Sequence, residues 1–173
     1  MLIRLACPLE MDLYILRHGI AEDVSATGAD SDRQLTPEGQ KKTHDAGRAL
    51  RNLEIEFDLV LSSPFARAWR TAEIVVEELG CQRILSKCDA LASGSPMKGM
   101  LAELSLIACP SVLIVGHEPD LSQLISILIS GGTDVAVAMK KGALAKLRFP
   151  GQIEIAMARL EWLLAPKHLC RLG

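Results

Sequence analysis

A chain of 173 residues, 49% of them hydrophobic, is long enough to bury one core of ordinary size. A net charge of -2 and an aromatic content of 3% do not fit a nucleic-acid-binding surface, which usually combines a basic stripe with stacking rings. The longest apolar stretch, 121–129, is shorter than the ~18 to 20 residues that cross a bilayer, so no membrane contact is expected.

The first ten residues and the cysteines indicate the cellular compartment of the protein. Met1–Glu10 is too short to hold the apolar centre of a signal peptide, and we interpret it as an N-terminal extension before a single domain over residues 11–169. The five cysteines are odd in number and form no Cys-x-x-Cys pair. Free thiols explain them better than disulfides or zinc. A cytoplasmic protein is therefore expected.

Short apolar runs alternate with amphipathic stretches, a pattern that predicts an α/β domain with a mostly parallel sheet. Helix starts are marked at Thr36-Pro37 and again at Ser63-Pro64, each with a capping hydroxyl followed by proline. The predicted elements, in chain order, are a strand at 13–16, a loop over 19–34, a helix from 36 to about 52, a strand at 57–61, a helix from 63 to 80, an edge strand at 83–88, a helix from 95, a strand at 112–115, a helix over 119–130, and strands at 143–149 and 153–164.

Three of the predicted strands end in polar residues that carry cations or imidazoles. The first ends at Arg17-His18-Gly19, the second is followed by Arg67 one turn into its helix, and the fourth ends at Gly116-His117. Because the carboxyl ends of parallel strands share one sheet edge, Arg17, His18, Arg67 and His117 should converge there. A tetrahedral dianion could bind there to two guanidinium groups, two imidazoles and the backbone amides at the helix start after Ser63.

Other uses of these residues fit the sequence less well. There is no His-x-His or His-Glu-x-x-His pair, and Pro119 after Glu118 prevents a ligand pair on one helical face. Two neighbouring arginines repel a divalent cation, so neither a metal nor another cofactor is expected. The remaining histidines, His44 and His168, are interpreted as solvated. A phosphate-cradling P-loop and a Gly-x-Ser-x-Gly elbow are both missing from the sequence.

Four motifs resemble those of the histidine phosphatase superfamily, also called phosphoglycerate mutase-like. They are Leu16-Arg17-His18-Gly19, Leu35-Thr36-x-x-Gly39, Ser62-Ser63-Pro64-x-x-Arg67-Ala68-x-x-Thr71-Ala72 and Gly116-His117-Glu118-Pro119, in the family's order. Arg33 before Leu35 and the tail Trp162-x-x-x-Pro166-x-x-Leu169 point to the SixA-type branch of phosphohistidine phosphatases. The resemblance implies a three-layer α/β/α sandwich whose mostly parallel sheet has an antiparallel edge.

The resemblance also implies a metal-independent transfer in two steps. His18 attacks phosphorus and becomes phosphorylated, and water then releases inorganic phosphate. Arg17 and Arg67 should lower the pKa of His18 and, with His117, stabilise charge on the phosphoryl oxygens. Further phosphate-binding candidates, at the same motifs, are Gly19, Ser63 and Arg33.

One departure concerns the proton donor to the leaving group. Many family members carry a glutamate between the third and fourth of these motifs. In the corresponding stretch, residues 88–95, this chain has only Asp89; Glu118 is the other candidate. A weak acid position favours a phosphoramidate, because imidazole can leave as a neutral group whereas an alkoxide needs a proton.

Three functions therefore stay open from the sequence. The first is removal of phosphate from phosphohistidine in a protein, such as a histidine phosphotransfer domain or a phosphocarrier. The second is hydrolysis of a small phosphorylated metabolite, a sugar or nucleotide phosphate. The third is a phosphate-binding regulator without turnover. The short chain leaves no room for a large cap over the pocket, which favours the protein substrate.

Overall fold

The computed structural model describes residues 10–173, so the predicted extension lies outside the described residues apart from Glu10. The strands are β1 (Met11–Arg17), β2 (Leu59–Ser62), β3 (Leu85–Lys87), β4 (Ser111–Gly116), β5 (Leu144–Phe149) and β6 (Arg159–Leu164). The helices are α1 (Pro37–Asn52), α2 (Ala66–Leu79), α3 (Met97–Ser105), α4 (Asp120–Ser130) and α5 (Pro166–Leu172). In the part of the chain that is described, none of the helices is long and apolar enough to cross a membrane.

All six strands form one sheet in the order β3-β2-β4-β1-β5-β6. The pairs β2–β3, β2–β4 and β1–β4 are parallel, whereas β5 pairs antiparallel with both β1 and β6. The predicted sheet, mostly parallel with an antiparallel edge, is confirmed. Its topology leaves the carboxyl ends of β2, β4 and β1 side by side.

Helices cover both faces of the sheet, and β1 shows how. Leu13 and Ile15 point into a core shared with α3 and α4, whereas Tyr14 and Leu16 point into a second core shared with α1, α2 and α5. This alternation follows from the period of two along a strand. A strand buried on both faces has a continuous apolar run, as the sequence has at 13–16.

Local signals fix the ends of the helices next to the site. Thr36 caps α1 by accepting a hydrogen bond from the Gly39 amide at 3.0 Å, as the Thr-Pro pair predicted. Gly80 ends α2 in the left-handed conformation, with a φ of 69°. These two helices pack against one another on the face of the sheet that carries Tyr14 and Leu16.

Near the C-terminus the structure differs from the prediction in one strand and one helix. The strand predicted at 153–164 begins only at Arg159, because Ile153 turns into the core and the amides of Ala156 and Ala158 bond to carbonyls at the end of α4. The helix α5 was not predicted, although Pro166 at its first position is a helix signal. Leu169 anchors α5 against α1. The helix α5 continues to Leu172. The domain limit at 169 stays a prediction.

Candidate active site

The carboxyl ends of three parallel strands bring four predicted residues to one place. Arg17 of β1 is in register with Gly116 of β4, and the ladder continues as the His18 amide donates to the Gly116 carbonyl at 3.1 Å. On the other side the Ser63 amide donates to the Val115 carbonyl at 3.0 Å. These backbone bonds place His18 and the residues after β2 and β4 on a common rigid edge, as predicted.

The His18 ring is held in one orientation and one tautomer. Its Nδ1 lies 2.7 Å from the Gly19 carbonyl oxygen, and a carbonyl can only accept, so Nδ1 carries the proton. Its Nε2 accepts from Arg67 Nε at 3.3 Å. The ring is 5% exposed. Nε2 therefore carries the basic lone pair of the ring, and the arginine orients it. The lone pair becomes available for attack when that N–H turns to another acceptor.

The site favours uncharged imidazoles. Burial lowers the pKa of His18 from 6.5 to about 3, with His117 and the guanidinium groups of Arg67 and Arg17 acting in the same direction. Burial also lowers the pKa of His117 to about 4, again helped by Arg67 and Arg17. The two rings lie 5.1 Å apart, centroid to centroid. Both rings are neutral at physiological pH, because burial and the neighbouring positive charges disfavour their protonated forms.

These pKa shifts predict how acid affects stability. The unfolded chain protonates each ring near 6.5, whereas the folded chain does so only near 3 and 4, so the unfolded state binds more protons in between. We expect the free energy of unfolding to fall as the pH drops from 6.5 toward 4. Denaturant titrations across this range should show a weaker pH dependence in H117N than in the natural protein. Identical slopes in both proteins would contradict the shift assigned to His117.

Arg67 is the second residue of α2, and each nitrogen of its guanidinium donates one hydrogen bond. While Nε donates to His18, Nη1 donates to the Asp30 carbonyl at 2.7 Å and Nη2 to Asp30 Oδ2 at 2.9 Å. Its side chain is 5% exposed, and its guanidinium carbon lies 5.4 Å from the centre of the Phe65 ring. Arg67 is thus fixed from three directions, with one N–H aimed at the candidate nucleophile.

Across residues 10–173, two buried side-chain polar atoms have no hydrogen-bond partner, and both belong to predicted site residues: Arg17 Nε and His117 Nδ1. Arg17 Nη1 donates to the Met139 carbonyl at 2.7 Å. His117 Nε2 lies 2.7 Å from Ser63 Oγ, which already accepts from the Phe65 amide. When Ser63 donates to Nε2, the proton of a neutral His117 sits on Nδ1. Buried donors normally have partners, and an oxyanion can accept from both of these.

Three further phosphate-binding candidates are engaged elsewhere. The Gly19 amide donates to Thr71 Oγ1 at 3.1 Å, and a Cβ at this position would lie 2.8 Å from Thr43 Oγ1. Ser63 contacts His117 as described above. Arg33 donates to Asp30 Oδ1 and to the Glu22 carbonyl. Each of the three therefore supports a neighbour of the pocket, and direct binding of phosphate by them stays a prediction.

The two candidate acids are placed differently. Asp89 begins a short 3-10 turn after β3, where its side chain is exposed. Glu118 is half-buried, its Oε1 accepts from the Ser122 amide at 3.0 Å, and its charge raises the pKa of Arg17 against the effect of burial. Neither carboxylate is hydrogen-bonded to His18, Arg67 or His117 within the described chain.

Sequence reasoning missed four residues around the pocket. Asp30 and the Met139 carbonyl hold the arginines, Thr71 holds Gly19, and Phe65 packs against His117 with the two rings tilted and their centroids 5.2 Å apart. Thr71 and Phe65 lie within the Ser63 motif and could have been inferred from it. Asp30 and Met139 lie in segments without periodicity. The described residues contain no group of three or more His, Cys, Asp or Glu side chains that could hold a metal ion.

Comparisons with known proteins agree with this geometry. The model of the histidine phosphatase superfamily (branch 1) matches residues 13–91. The phosphohistidine phosphatase SixA of Escherichia coli K12 is 32% identical over 130 residues, which cover 71% of this chain and 77% of that protein. A structure of the protein histidine phosphatase SixA complexed with tungstate matches with a TM-score of 0.80 and 26% identity, over 92% of this chain and 99% of that one. A phosphoglycerate mutase from Bacillus anthracis shares the fold, with a TM-score of 0.67 and 17% identity over 94% and 96% of the two chains.

Proposed function

This chain belongs to the histidine phosphatase superfamily, and from that premise we propose that it removes phosphate from phosphohistidine in a protein through a phosphoenzyme on His18. The observation that carries the proposal is the His18 ring, whose Nδ1–H is fixed on the Gly19 carbonyl while Nε2 faces Arg67. A neutral imidazole with one oriented lone pair is a competent nucleophile at physiological pH.

In the first step the Arg67 Nε–H turns from His18 Nε2 to a phosphoryl oxygen. Nε2 then donates its lone pair to phosphorus, and the bond from phosphorus to the substrate nitrogen breaks. The departing imidazole keeps the electron pair of that bond, and it leaves neutral when its other nitrogen already carries a proton. In the second step water adds its hydroxyl to phosphorus, its proton passes to a phosphoryl oxygen, and the electron pair returns to Nε2. Arg67, Arg17 and His117 donate to the phosphoryl oxygens throughout.

The preference for a phosphoramidate is supported by the acid positions. An alkyl phosphate releases an alkoxide, which needs a proton from a group beside the leaving oxygen. Asp89 is exposed, and Glu118 is hydrogen-bonded to the first turn of α4. Neither is hydrogen-bonded to a pocket residue that would hold it beside a leaving oxygen. A tungstate complex in a relative called a protein histidine phosphatase also fits a pocket for tetrahedral oxyanions.

A substrate comparison tests this proposal. The purified chain should hydrolyse a phosphohistidine-bearing phosphotransfer domain with a kcat/KM at least ~100-fold above that for glycerol phosphate or a nucleoside monophosphate, the lower range of what a general acid contributes. All assays contain a chelator, because turnover is expected to need no metal. D89N is the matched control and should hydrolyse phosphohistidine at the natural rate.

Three results would count against the proposal. Equal hydrolysis of alkyl phosphates would favour the alternative, a phosphomonoesterase acting on a sugar or nucleotide phosphate. Activity that disappears in the chelator and returns with added cation would overturn the metal-independent mechanism. Binding of phosphate without any turnover would leave only the regulatory role.

A further inference from the structure

The loop between β1 and α1 places a carboxylate against the pocket's buried arginine. Asp30 accepts from Arg67 twice, through its backbone oxygen at 2.7 Å and through Oδ2 at 2.9 Å. The Asp30 side chain is 55% exposed, whereas that of Arg67 is 5% exposed. The carboxylate thus reaches the guanidinium from the solvent side, the side from which a substrate's phosphoryl group also arrives.

The position of Asp30 is set by the loop's own hydrogen bonds. Thr27 donates to Asp32 Oδ2 at 2.7 Å, and Ser25 donates to the Ala29 carbonyl at 2.7 Å. Arg33 bridges the Glu22 carbonyl and Asp30 Oδ1. The hydrogen bond from Arg33 lowers the pKa of Asp30, and that from Arg67 lowers it further, so the side chain is a carboxylate at neutral pH. The loop therefore delivers a fixed negative charge.

A carboxylate and a phosphoryl group are ligands of the same kind for an arginine fork. We propose that Asp30 is a positioning residue that competes with the phosphoryl group for Arg67 and so weakens the binding of inorganic phosphate, the product. This inference rests on the proposed function. The Asp30 carbonyl stays on Nη1 and holds the guanidinium in place, while the carboxylate gives way on Nη2.

Such a competitor has a use in a phosphatase. Product and substrate present the same phosphoryl oxygens, and a pocket with two arginines and two buried unpaired donors would hold free phosphate tightly. A carboxylate that returns to Arg67 favours release of phosphate after the second step. Asp30 also contributes negative charge near His117, where it opposes the effect of the arginines on the pKa of that ring.

The test compares D30N and D30A with D32N and the natural chain. Asp32 lies in the same turn and carries the same charge, but it bonds to Thr27 and Ser31 and not to Arg67. The inhibition constant of inorganic phosphate is measured in the hydrolysis of a phosphohistidine protein, and phosphate binding is measured directly by calorimetry. D30N and D30A should lower the inhibition constant about five-fold, the upper range for a pair of this exposure, whereas D32N should leave it unchanged.

The direction of the change separates this role from a structural one. A residue that merely shaped the pocket would raise the inhibition constant and KM when replaced, and the competing role lowers both. An unchanged or higher constant in D30N and D30A, or an equal decrease in D32N, would overturn the inference while normal turnover of the natural chain upholds the proposed function. If neither the natural chain nor any variant binds phosphate or hydrolyses the phosphohistidine protein, the proposed function fails and the inference fails with it.

Discussion

Replacing His18 by alanine should abolish turnover, with a loss in kcat of about 10⁴-fold or more, because the phosphoenzyme forms on its ring nitrogen. The ring is buried at the end of β1, its one basic lone pair lies on Nε2, and Arg67 orients that atom. Steady-state assays with a phosphohistidine protein measure the loss. H168A is the matched control, since His168 is exposed on α5, and it should keep the natural rate.

The variant also separates binding from chemistry. H18A keeps Arg17, Arg67 and His117, so it should still bind inorganic phosphate although it no longer turns over. Retained turnover in H18A would mean that the nucleophile is another group or water. Loss of phosphate binding together with activity would point to a collapsed pocket, which thermal unfolding of the same sample detects.

Replacing Arg67 by alanine should lower kcat by about 10²- to 10³-fold, the usual cost of removing one preorganised donor to a developing oxyanion. Its Nε–H orients His18, its Nη2 can turn from Asp30 to a phosphoryl oxygen, and burial strengthens both interactions. R67K should recover only a small part of the rate, since an ammonium group cannot donate from a planar fork.

R70A is the matched control for this experiment. Arg70 lies on the same helix, half-exposed, and pairs with Glu73 and Glu77. It should change kcat by no more than the experimental error. If R67A and R70A lower kcat equally, the effect comes from the helix or from general charge, and the assigned role of Arg67 is wrong.

The convergence of the four central residues could be predicted because it depends on topology alone. Arg17, His18 and His117 follow apolar runs typical of buried strands, and Arg67 follows the next strand's helix signal. Once the strands are parallel, their carboxyl ends must share an edge. The pKa direction of His18 could also be predicted, although burial is its largest cause and the sequence suggested mainly the arginines.

The supporting residues could not be predicted, because they act through loop geometry and backbone atoms. Asp30 reaches Arg67 across a loop without periodicity, and Arg17 is held by the carbonyl of Met139, which any residue type could supply. The same reason explains the strand wrongly extended to 153. Alternation at 153–158 suggested pairing, but the amides of that segment bond to α4 instead.

The roles of the two candidate acids could not be predicted from residue type alone, because they depend on where the side chains lie. Asp89 and Glu118 were chosen because they are carboxylates near the motifs. In the structure one is exposed and the other is bonded to the start of α4. Their placement fits a leaving group that needs no proton. The substrate comparison tests the identity of that leaving group.

The most direct test of the mechanism is to trap the phosphoenzyme. The chain is mixed with a phosphohistidine protein, quenched with base within the first turnover, and examined by peptide mass spectrometry and phosphorus NMR, which distinguishes the two ring nitrogens. We expect one phosphoryl group on His18, attached to Nε2, and none in H18A. Phosphate on Nδ1 or on another residue, or full turnover with no phosphorylated His18, would contradict the mechanism.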